Sequence, residues 1–239
     1  GGKLLSLIHS GRVVGGFGSP PCSTISAARH RIMKISGGPR PLRSRSNPWI
    51  CLPNRTEKEQ RAVNVGSALC LLSIGLLGEI AAQGGWVGFE HPADRCKEPF
   101  PSFFPTREFK LFRQFARLHY FDTHQCMFGA AALKPTGLLL PVGSKSIVRR
   151  CSHSYHRPLI GLDKGVFLTT AAAEYPQAFS EAIGQLFVDR LALARAKGYG
   201  LPFRPRSVAP DSGVDPWSDM CSLRWQWPEP HPGFLVELL

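Results

Sequence analysis

The most restrictive feature of the sequence is an apolar segment that begins with a helix-start signal and lies between two short apolar runs. Thr56 and Glu59 have the spacing of a capping box, which predicts a helix that runs to about Gln83. Arg12 to Phe17, before the helix, and Trp86 to Glu90, after it, are predicted to be buried strands. A strand, a long crossover with a helix and a second strand are typical of a parallel α/β sheet.

We therefore predict an α/β fold with a partial Rossmann-like, mostly parallel sheet, flanking helices and long loop insertions. Residues 1–198 are predicted to form the folded region, with further helices near 3–9, 107–118 and 169–197. Two short strands are expected on either side of a turn at Gly129. Residues 199–239 are rich in proline and tryptophan, and we expect them to form a loosely ordered tail.

Ala62 to Ala82 raises the possibility of a membrane span, because this segment approaches spanning length and contains one acid and no base. Polar residues and glycines interrupt the segment, however, and the capping box before it is a signal of soluble helices. A buried core helix explains both observations, so we predict no membrane partner. A membrane-associated protein is the third and weakest of three possible functions of the chain.

The chain of 239 residues has a formal net charge of +12, which favours a polyanionic partner, nucleic acid first. Much of this charge lies in the loop from Ser23 to Arg55, which contains seven Lys or Arg residues and no Asp or Glu. Such residues contact phosphates in nucleic-acid-binding proteins, although a solvated basic loop has the same composition. The candidates are Arg29, Arg31, Lys34, Arg40, Arg43, Arg45 and Arg55.

The seven cysteines are irregularly spaced and include no CxxC pair, so they do not indicate a disulfide framework. This pattern favours a reducing compartment, and we expect a nuclear or cytoplasmic protein that is monomeric. The first residue is Gly rather than Met, and we expect a fragment of a longer chain.

Two chemically reactive residues follow the ends of the two predicted strands. Cys22 comes after Pro20 and Pro21, which fix the backbone, and nearby arginines would favour the thiolate that a nucleophile needs. Glu90 ends an apolar strand, where a buried carboxylate needs a partner and has a raised pKa if it is desolvated. The structural alternatives are a buried small apolar residue for Cys22 and a salt bridge to a loop arginine for Glu90. In a parallel sheet both residues lie at the edge where active sites form.

The order of a strand, a Pro-Pro-Cys loop and an apolar strand that ends in Glu resembles the cytosine-5 DNA methyltransferases. The matching residues are Pro21, Cys22 and Ser26 in the loop and Glu90 at the strand end. The resemblance implies that Cys22 attacks C6 of a cytosine flipped out of DNA, while Glu90 holds its N3/N4 edge and S-adenosylmethionine methylates C5. The stretches QCMFGAAALKPTGLLL and LTTAAAEYPQAFSEAIG resemble later motifs of the family, so the resemblance extends from about Arg12 to Phe187.

The chain departs from the family at several positions. Ser23 follows the cysteine where the family usually has Gln, and His91-Pro92 follow the acid where it has Asn-Val. Lys134 is the candidate for the family's paired catalytic arginines. The family's Gly-rich strand-turn for S-adenosylmethionine is not found, and the remaining candidates for cofactor contact are Gly18, Pro20 and Pro21.

We expect an N-terminally truncated domain that most resembles the methyltransferase-like domains carried by retroelements. The alternative to an enzyme is a degenerate domain of this origin that binds nucleic acid through its basic loop without turnover. The paired Cys22 and Glu90 favour the enzyme, whereas the missing cofactor loop favours the binding domain.

A third group of reactive side chains lies in the stretch RRCSHSYHR. Cys151, His153 and His156 are three possible zinc ligands, but no fourth ligand stands at a recognisable spacing, so no metal site is predicted. The resemblance favours instead a small target-contacting segment over residues 144–164. Its candidates for binding nucleic acid are Arg149 and Arg150.

Overall fold

Helices and strands alternate through the first part of the fold, and a short connection joins the last two strands of the main sheet. The computed structural model describes residues 2–30, 39–156, 162–163, 166–171 and 173–196. In chain order its elements are α1 (Gly2–His9), β1 (Gly15–Gly18), α2 (Glu57–Ala82), β2 (Trp86–Pro92), α3 (Arg107–Phe115), β3 (Leu118–His124), β4 (Pro135–Pro141), β5 (Leu162–Asp163), β6 (Val166–Phe167), α4 (Leu168–Ala171) and α5 (Gln177–Ala196).

The predicted capping box begins the long apolar helix. The Thr56 hydroxyl accepts a hydrogen bond from the Glu59 N–H (3.3 Å), and the Glu59 carboxylate accepts one from the Thr56 N–H (2.9 Å). α2 then runs to Ala82, and Gly84 in the left-handed conformation (φ +84°) turns the chain towards β2. Because α2 packs against both β1 and β2, it forms the crossover that makes these strands parallel.

The main sheet has four strands in the order β1-β2-β4-β3. β1 and β2 are parallel, with Gly18 opposite Phe89, whereas β4 is antiparallel to both β2 and β3. A 3₁₀ turn over Gln125–Phe128 follows β3, and Gly129 (φ +97°) reverses the chain after it. So short a connection joins only antiparallel strands. The α/β class is therefore confirmed, but the described sheet is mixed rather than mostly parallel.

Strand alternation gives the sheet two apolar faces, and helices cover both. Phe89 and Leu139 pack against α2 and α3 on one face. Leu138 and Leu140 pack with Phe179 of α5 on the other face. Helices therefore shield both faces of the sheet from water, and the arrangement is a three-layer α/β/α sandwich. The ends of the strands are not covered by these helices and are available to form a site.

The predicted helices are present with small changes in their bounds. The helix expected over 169–197 is divided, because α4 ends at Ala171 and α5 begins after Pro176, a residue suited to a helix start. α5 buries Phe179, Ile183 and Leu186 on one face. The tail over 199–239 lies outside the described residues.

Among the described residues, α2 is the one helix long and apolar enough to cross a membrane. Its most apolar window has a mean hydropathy of 1.9, and 50% of that window is buried inside the protein. Cys70, Ile74 and Leu77 on this helix belong to the core cluster beneath the sheet. α2 therefore forms part of the helical layer on that face of the sheet, together with α3.

Candidate active site at one edge of the sheet

The parallel pair of strands brings the cysteine loop and the acid to the same edge of the sheet. Because Gly18 pairs with Phe89, the residues that follow them, Ser19 and Glu90, are neighbours. The Ser19 hydroxyl donates a hydrogen bond to Glu90 Oε2 (2.7 Å). Cys22 follows Ser19 directly after the two prolines, so the chain carries its thiol to the edge where Glu90 lies.

Glu90 is buried, with 4% of its surface exposed, and two hydroxyls hold its carboxylate. Ser19 and Tyr175 both donate to Oε2, and their own oxygens are in contact with each other. Burial raises the pKa of Glu90, although the two hydroxyl donors and the charge of Lys134 oppose this rise. Glu90 therefore favours its neutral form more than an exposed glutamate does.

Lys134 lies just before β4 and places its charge beside both reactive groups. Its Nζ is 4.8 Å from the centroid of the Tyr175 ring, within the range of a cation–π contact. The ammonium lowers the pKa of Glu90 and of Cys22. The three residues predicted to be catalytic, Cys22, Glu90 and Lys134, therefore share one electrostatic environment.

The thiol of Cys22 is partly buried and is not activated by arginines. Burial raises its pKa, the negative charge of Glu90 raises it further, and the charge of Lys134 lowers it. The net change is upward, so the expectation that loop arginines favour the thiolate was wrong. Deprotonation of Cys22 in this arrangement requires an additional change, such as the neutralisation of Glu90.

Arg43, a predicted phosphate contact, is instead the buried centre of the loop that carries Cys22. It is 1% exposed, and burial lowers its pKa to about 10, so it stays charged at neutral pH. The prediction was wrong, because an enclosed guanidinium cannot reach a phosphate. Its hydrogen bonds tie the Cys22 turn to α2, with partners Thr24 Oγ1 (2.9 Å), Ser67 Oγ (2.7 Å) and the carbonyls of Pro48 (2.6 Å) and Val63 (2.9 Å).

Gly66 makes room for this buried guanidinium on the surface of α2. A Cβ at Gly66 would come 3.1 Å from Arg43 Nη2 and 3.2 Å from Thr24 Oγ1. A glycine within the helix costs helix stability but allows the loop to approach the backbone closely. The long basic loop is therefore a support for the Cys22 turn.

The other described arginines of the basic loop also bind protein groups. Their partners are the carbonyls of Ser23 and Arg40 for Arg29, Glu59 for Arg40, Asp94 for Arg45, and the carbonyls of Pro41 and Pro53 for Arg55. The Arg40 side chain stays 44% exposed, whereas that of Arg45 is 20% exposed. These contacts mainly fold the loop, and Arg31 and Lys34 lie outside the described residues.

Arg149 and Arg150, in the second basic segment, are exposed. The Arg149 guanidinium lies 4.5 Å above the Phe128 ring, and Arg150 pairs with Asp122 at 3.4 Å. Surface contacts of this kind are weak, so both side chains are accessible to a ligand. Within the segment 144–164, residues 157–161 and 164 lie outside the described part of the chain.

The three candidates for cofactor contact do not form a cradle. A Cβ at Gly18 would come 2.9 Å from Leu77 and 3.2 Å from Phe89, so helix packing explains the glycine. Pro20 is buried and Pro21 is exposed. The described residues at this edge therefore do not by themselves fit the S-adenosylmethionine that the resemblance implies.

His91, which follows the acid, belongs to the core. Successive strand residues point to opposite faces, so His91 lies on the other side of β2 from Glu90. Its ring packs beside Phe103, with centroids 5.2 Å apart. Burial and the charge of Arg43 lower the pKa of His91 to about 3, so the ring is neutral at physiological pH.

A second group of reactive side chains lies at the same edge, beyond the end of β3. Cys126, in the 3₁₀ turn, lies close to the three residues that the sequence singled out, Cys151, His153 and His156. The four ligand atoms lie within 4.8 Å of one another. Cys126 has no spacing relation to the other three in the sequence, and the hairpin fold brings it to them.

A cavity lies at the opposite edge of the sheet. It has a volume of about 230 Å³ and is lined by Trp86, Pro141 and Arg190, among others. Because Trp86 begins β2 and Glu90 lies near its end, a strand length separates this cavity from the candidate site. The cavity therefore does not mark the place where Cys22 and Glu90 act.

Ser19 and Tyr175 are parts of the site that the sequence did not identify. Both lie in motifs noted for other reasons, the Ser-Pro-Pro-Cys loop and the aromatic-Pro step before α5. A signal was present for Tyr175, since an aromatic residue next to a helix-starting proline is held in place by the helix.

Comparison of the chain with protein-family models, with curated proteins and with solved structures gives no match. The evidence for a function is therefore the geometry of Cys22, Glu90 and Lys134 and the resemblance of the sequence to the cytosine-5 DNA methyltransferases.

Proposed function

We propose that this region binds a cytosine base extruded from DNA and attacks it through Cys22, as the target-base half of a cytosine-5 methyltransferase-like enzyme. The observation that carries the proposal is that Cys22, Glu90 and Lys134 lie at one sheet edge, where the charges of Glu90 and Lys134 shift the pKa of the Cys22 thiol. These residues come from three separate elements, and the fold of the chain alone brings them together.

Glu90 suits the Watson–Crick edge of cytosine. That edge presents the N3 acceptor and the N4 amino donor. A neutral carboxyl offers one O–H donor and one acceptor oxygen, and its donor then faces N3 while its acceptor faces N4. Burial raises the pKa of Glu90 and so favours this neutral form. Ser19 and Tyr175 already hold Oε2, which fixes the plane of the carboxyl group.

Cys22 then acts as the nucleophile. The thiol first gives its proton to solvent; the sulfur then forms a bond to C6, and the C5–C6 π pair moves to C5 and is delocalised towards N3. Proton donation from Glu90 to N3 stabilises the resulting charge, and the Lys134 ammonium stabilises the carboxylate that remains. Because the pKa of the Cys22 thiol is raised, we expect this attack to be slow until a cytosine occupies the site.

A Rossmann-like class I sheet is the finer fold assignment within this proposal. The parallel pair β1-β2 and its crossover helix α2 are the unit from which such sheets are built. In the described part of the chain β1 has one partner, so its other side accepts additional parallel strands. S-adenosylmethionine would supply the methyl group if residues beyond those described held it.

DNA is the partner in this proposal. A base inside a duplex is out of reach of a thiol, so it must leave the stack first. Arg149 and Arg150 are exposed at the same edge of the sheet as the candidate site, and in this proposal they contact phosphates. Among the described arginines of the first basic loop, Arg40 is the exposed one, although Glu59 competes for it.

A mechanism-based base analogue tests the proposal without the cofactor. Duplexes with a 2-pyrimidinone base at the centre of randomised flanks are incubated with the full chain and separated under denaturing conditions. The wild type is expected to form a covalent complex, because 2-pyrimidinone accepts a thiol at C6 without methyl transfer. Cys22→Ser abolishes the complex, and Cys51→Ser, which changes a partly buried loop cysteine, retains it.

The second candidate function is a non-catalytic nucleic-acid-binding domain. The raised pKa of the Cys22 thiol and the internal hydroxyl partners of Glu90 favour it. In that case DNA binding falls steeply with salt, Cys22→Ser does not change it, and the wild type forms no covalent complex with 2-pyrimidinone. The same experiment therefore separates the two functions.

A further inference from the structure

We propose that this chain holds one zinc ion in a closed, structural site with two thiolate and two imidazole ligands. The ligands are Cys126, Cys151, His153 and His156, and their ligand atoms lie within 4.8 Å of one another. The inference does not depend on the proposed function, since none of these residues contacts Cys22 or Glu90 in the arrangement above.

The distances between the donors are close to those around a tetrahedral ion. Zinc bonds of about 2.3 Å to sulfur and about 2.0–2.1 Å to nitrogen place neighbouring ligand atoms roughly 3.3–3.8 Å apart. Cys151 Sγ is 3.4 Å from His153 Nδ1 and 2.9 Å from His156 Nε2. Small side-chain adjustments therefore convert these contacts into metal bonds.

The choice of metal follows from the donor set. Two thiolates and two neutral imidazoles suit Zn²⁺, whereas Ca²⁺ and Mg²⁺ require oxygen ligands. Four protein ligands fill a tetrahedral shell and leave no position for a reacting water, so the role is structural.

The backbone around the cluster is already arranged to support bound thiolates. The His153 N–H points at Cys151 Sγ (3.4 Å), and the Cys151 N–H donates to His124 Nδ1 (2.8 Å). The segment also pairs with the end of β3, because the His124 N–H donates to the Arg149 carbonyl (2.9 Å). Such outer contacts orient ligands and strengthen metal binding.

The ion would fasten the second basic segment to the sheet. Cys126 belongs to the turn after β3, whereas the other three ligands follow β4 and have little regular structure. In the same turn the Gln125 N–H donates to the Lys134 carbonyl (3.1 Å), so the metal would also stiffen the loop that positions Lys134. Metal binding and folding of this segment are therefore expected to be coupled.

Cobalt titration of the full chain tests the site. The reduced protein is stripped of metal with a chelator and titrated with Co²⁺, and Zn²⁺ is then added in competition. We expect one Co²⁺ per chain, the visible bands of tetrahedral cobalt with thiolate ligands, and their loss when Zn²⁺ displaces the ion. Zn²⁺ is also expected to raise the melting temperature over that of the chelated chain.

Matched variants assign the ligands. Cys151→Ser is expected to weaken binding by more than the roughly 10–100-fold that loss of an outer contact costs. His153→Asn changes an exposed residue, so it tests the site even if Cys151→Ser unfolds. Cys96→Ser and His119→Asn, exposed residues away from the cluster, are the controls and should bind as the wild type does.

Three results would overturn the proposal. The first is wild-type binding weaker than about 1 μM or a cobalt spectrum without thiolate bands. The second is equal affinity of His153→Asn and His119→Asn. The third is a Cys126–Cys151 disulfide that persists after treatment with a reductant and prevents metal uptake.

Discussion

Two thiol sites lie at the same edge of one sheet, and they differ in what surrounds the sulfur. Cys22 has a carboxyl group and an ammonium beside it, whereas Cys126 and Cys151 lie among imidazoles. Burial raises the pKa of Cys22, and burial together with Cys151 raises that of Cys126 to about 11. In our two proposals the neighbours set the chemistry: the Cys22 thiol loses its proton and adds to a base held by Glu90, and the Cys126 thiol releases its proton to solvent when its sulfur binds a divalent cation.

The two sites also differ in how the chain supports them. The Cys22 turn is fastened to α2 by the buried Arg43, whose hydrogen bonds are internal to the fold. The Cys151 segment is fastened mainly through the end of β3 and, in our proposal, through a metal ion. The guanidinium of Arg43 therefore supports the first site, whereas in our proposal an exchangeable metal ion supports the second.

The largest expected effect comes from removing the guanidinium of Arg43. Arg43→Met leaves the buried oxygens of Thr24, Pro48 and Val63 without their donor, and we expect a loss of about 3 kcal/mol or more in the free energy of unfolding. Urea denaturation at neutral pH measures it. Arg61→Met, at an exposed arginine of α2, is the control and should change stability by about 0.5 kcal/mol or less. Equal losses in the two variants would contradict the role given to Arg43.

A smaller effect is expected at Tyr175. Tyr175→Phe removes one hydroxyl donor from the buried carboxylate of Glu90, and we expect it to cost about 1–2 kcal/mol at neutral pH. The loss of that donor also raises the pKa of Glu90 further. Tyr155→Phe, at a residue that is 75% exposed, should have no measurable effect on either quantity.

The pH dependence of stability tests the buried acid directly. Burial raises the pKa of Glu90 above the value of 4.5 that it has when unfolded. Its contribution to stability is fully present below pH 4.5 and is lost as the pH rises through the pKa of the folded state. Glu90→Gln removes this loss, so its stability relative to the wild type should increase as the pH rises. A difference that is constant with pH would show that Glu90 titrates as an exposed glutamate does.

The smallest effects are on the reactivity of Cys22. Glu90→Gln removes a negative charge that raises the pKa of the thiol, so alkylation by iodoacetamide should become faster. Lys134→Met removes the positive charge that lowers the pKa, so alkylation should become slower. Peptide mass spectrometry measures both rates, with Cys51 as the internal reference. Changes of the same sign in both variants would contradict the shared environment of the three groups.

Residues that are close together in the sequence correctly predicted the start of a helix and the position of a turn. Thr56 and Glu59 predicted the start of α2, and Gly129 predicted the turn between β3 and β4. The placement of Cys22 and Glu90 at one edge was also predicted, because a crossover helix makes the two strands parallel. Each of these features depends on residues that are close in the sequence or on one rule of topology.

What the sequence did not predict depends on contacts between distant residues. The sequence shows that Arg43 is positively charged, but it does not show that its side chain is buried. The burial requires Gly66 on α2, which leaves room for the guanidinium. Tyr175 contacts Glu90 from a segment 85 residues further along the chain, and Cys126 lies close to Cys151 because of the hairpin turn. Charge counts and motif spacing contain no information on such contacts, so the sequence did not identify Cys126 as the fourth ligand of the proposed metal site.

The most direct test of the central claim is to locate the covalent bond between the chain and an extruded base. The complex with the 2-pyrimidinone duplex is digested with a protease and a nuclease, and the modified peptide is identified by mass spectrometry. We predict that the nucleotide mass is on the peptide that contains Cys22 and that Glu90→Gln greatly reduces its yield. A nucleotide mass on another cysteine, or an undiminished yield in Glu90→Gln, would contradict the claim that these two residues act on one base.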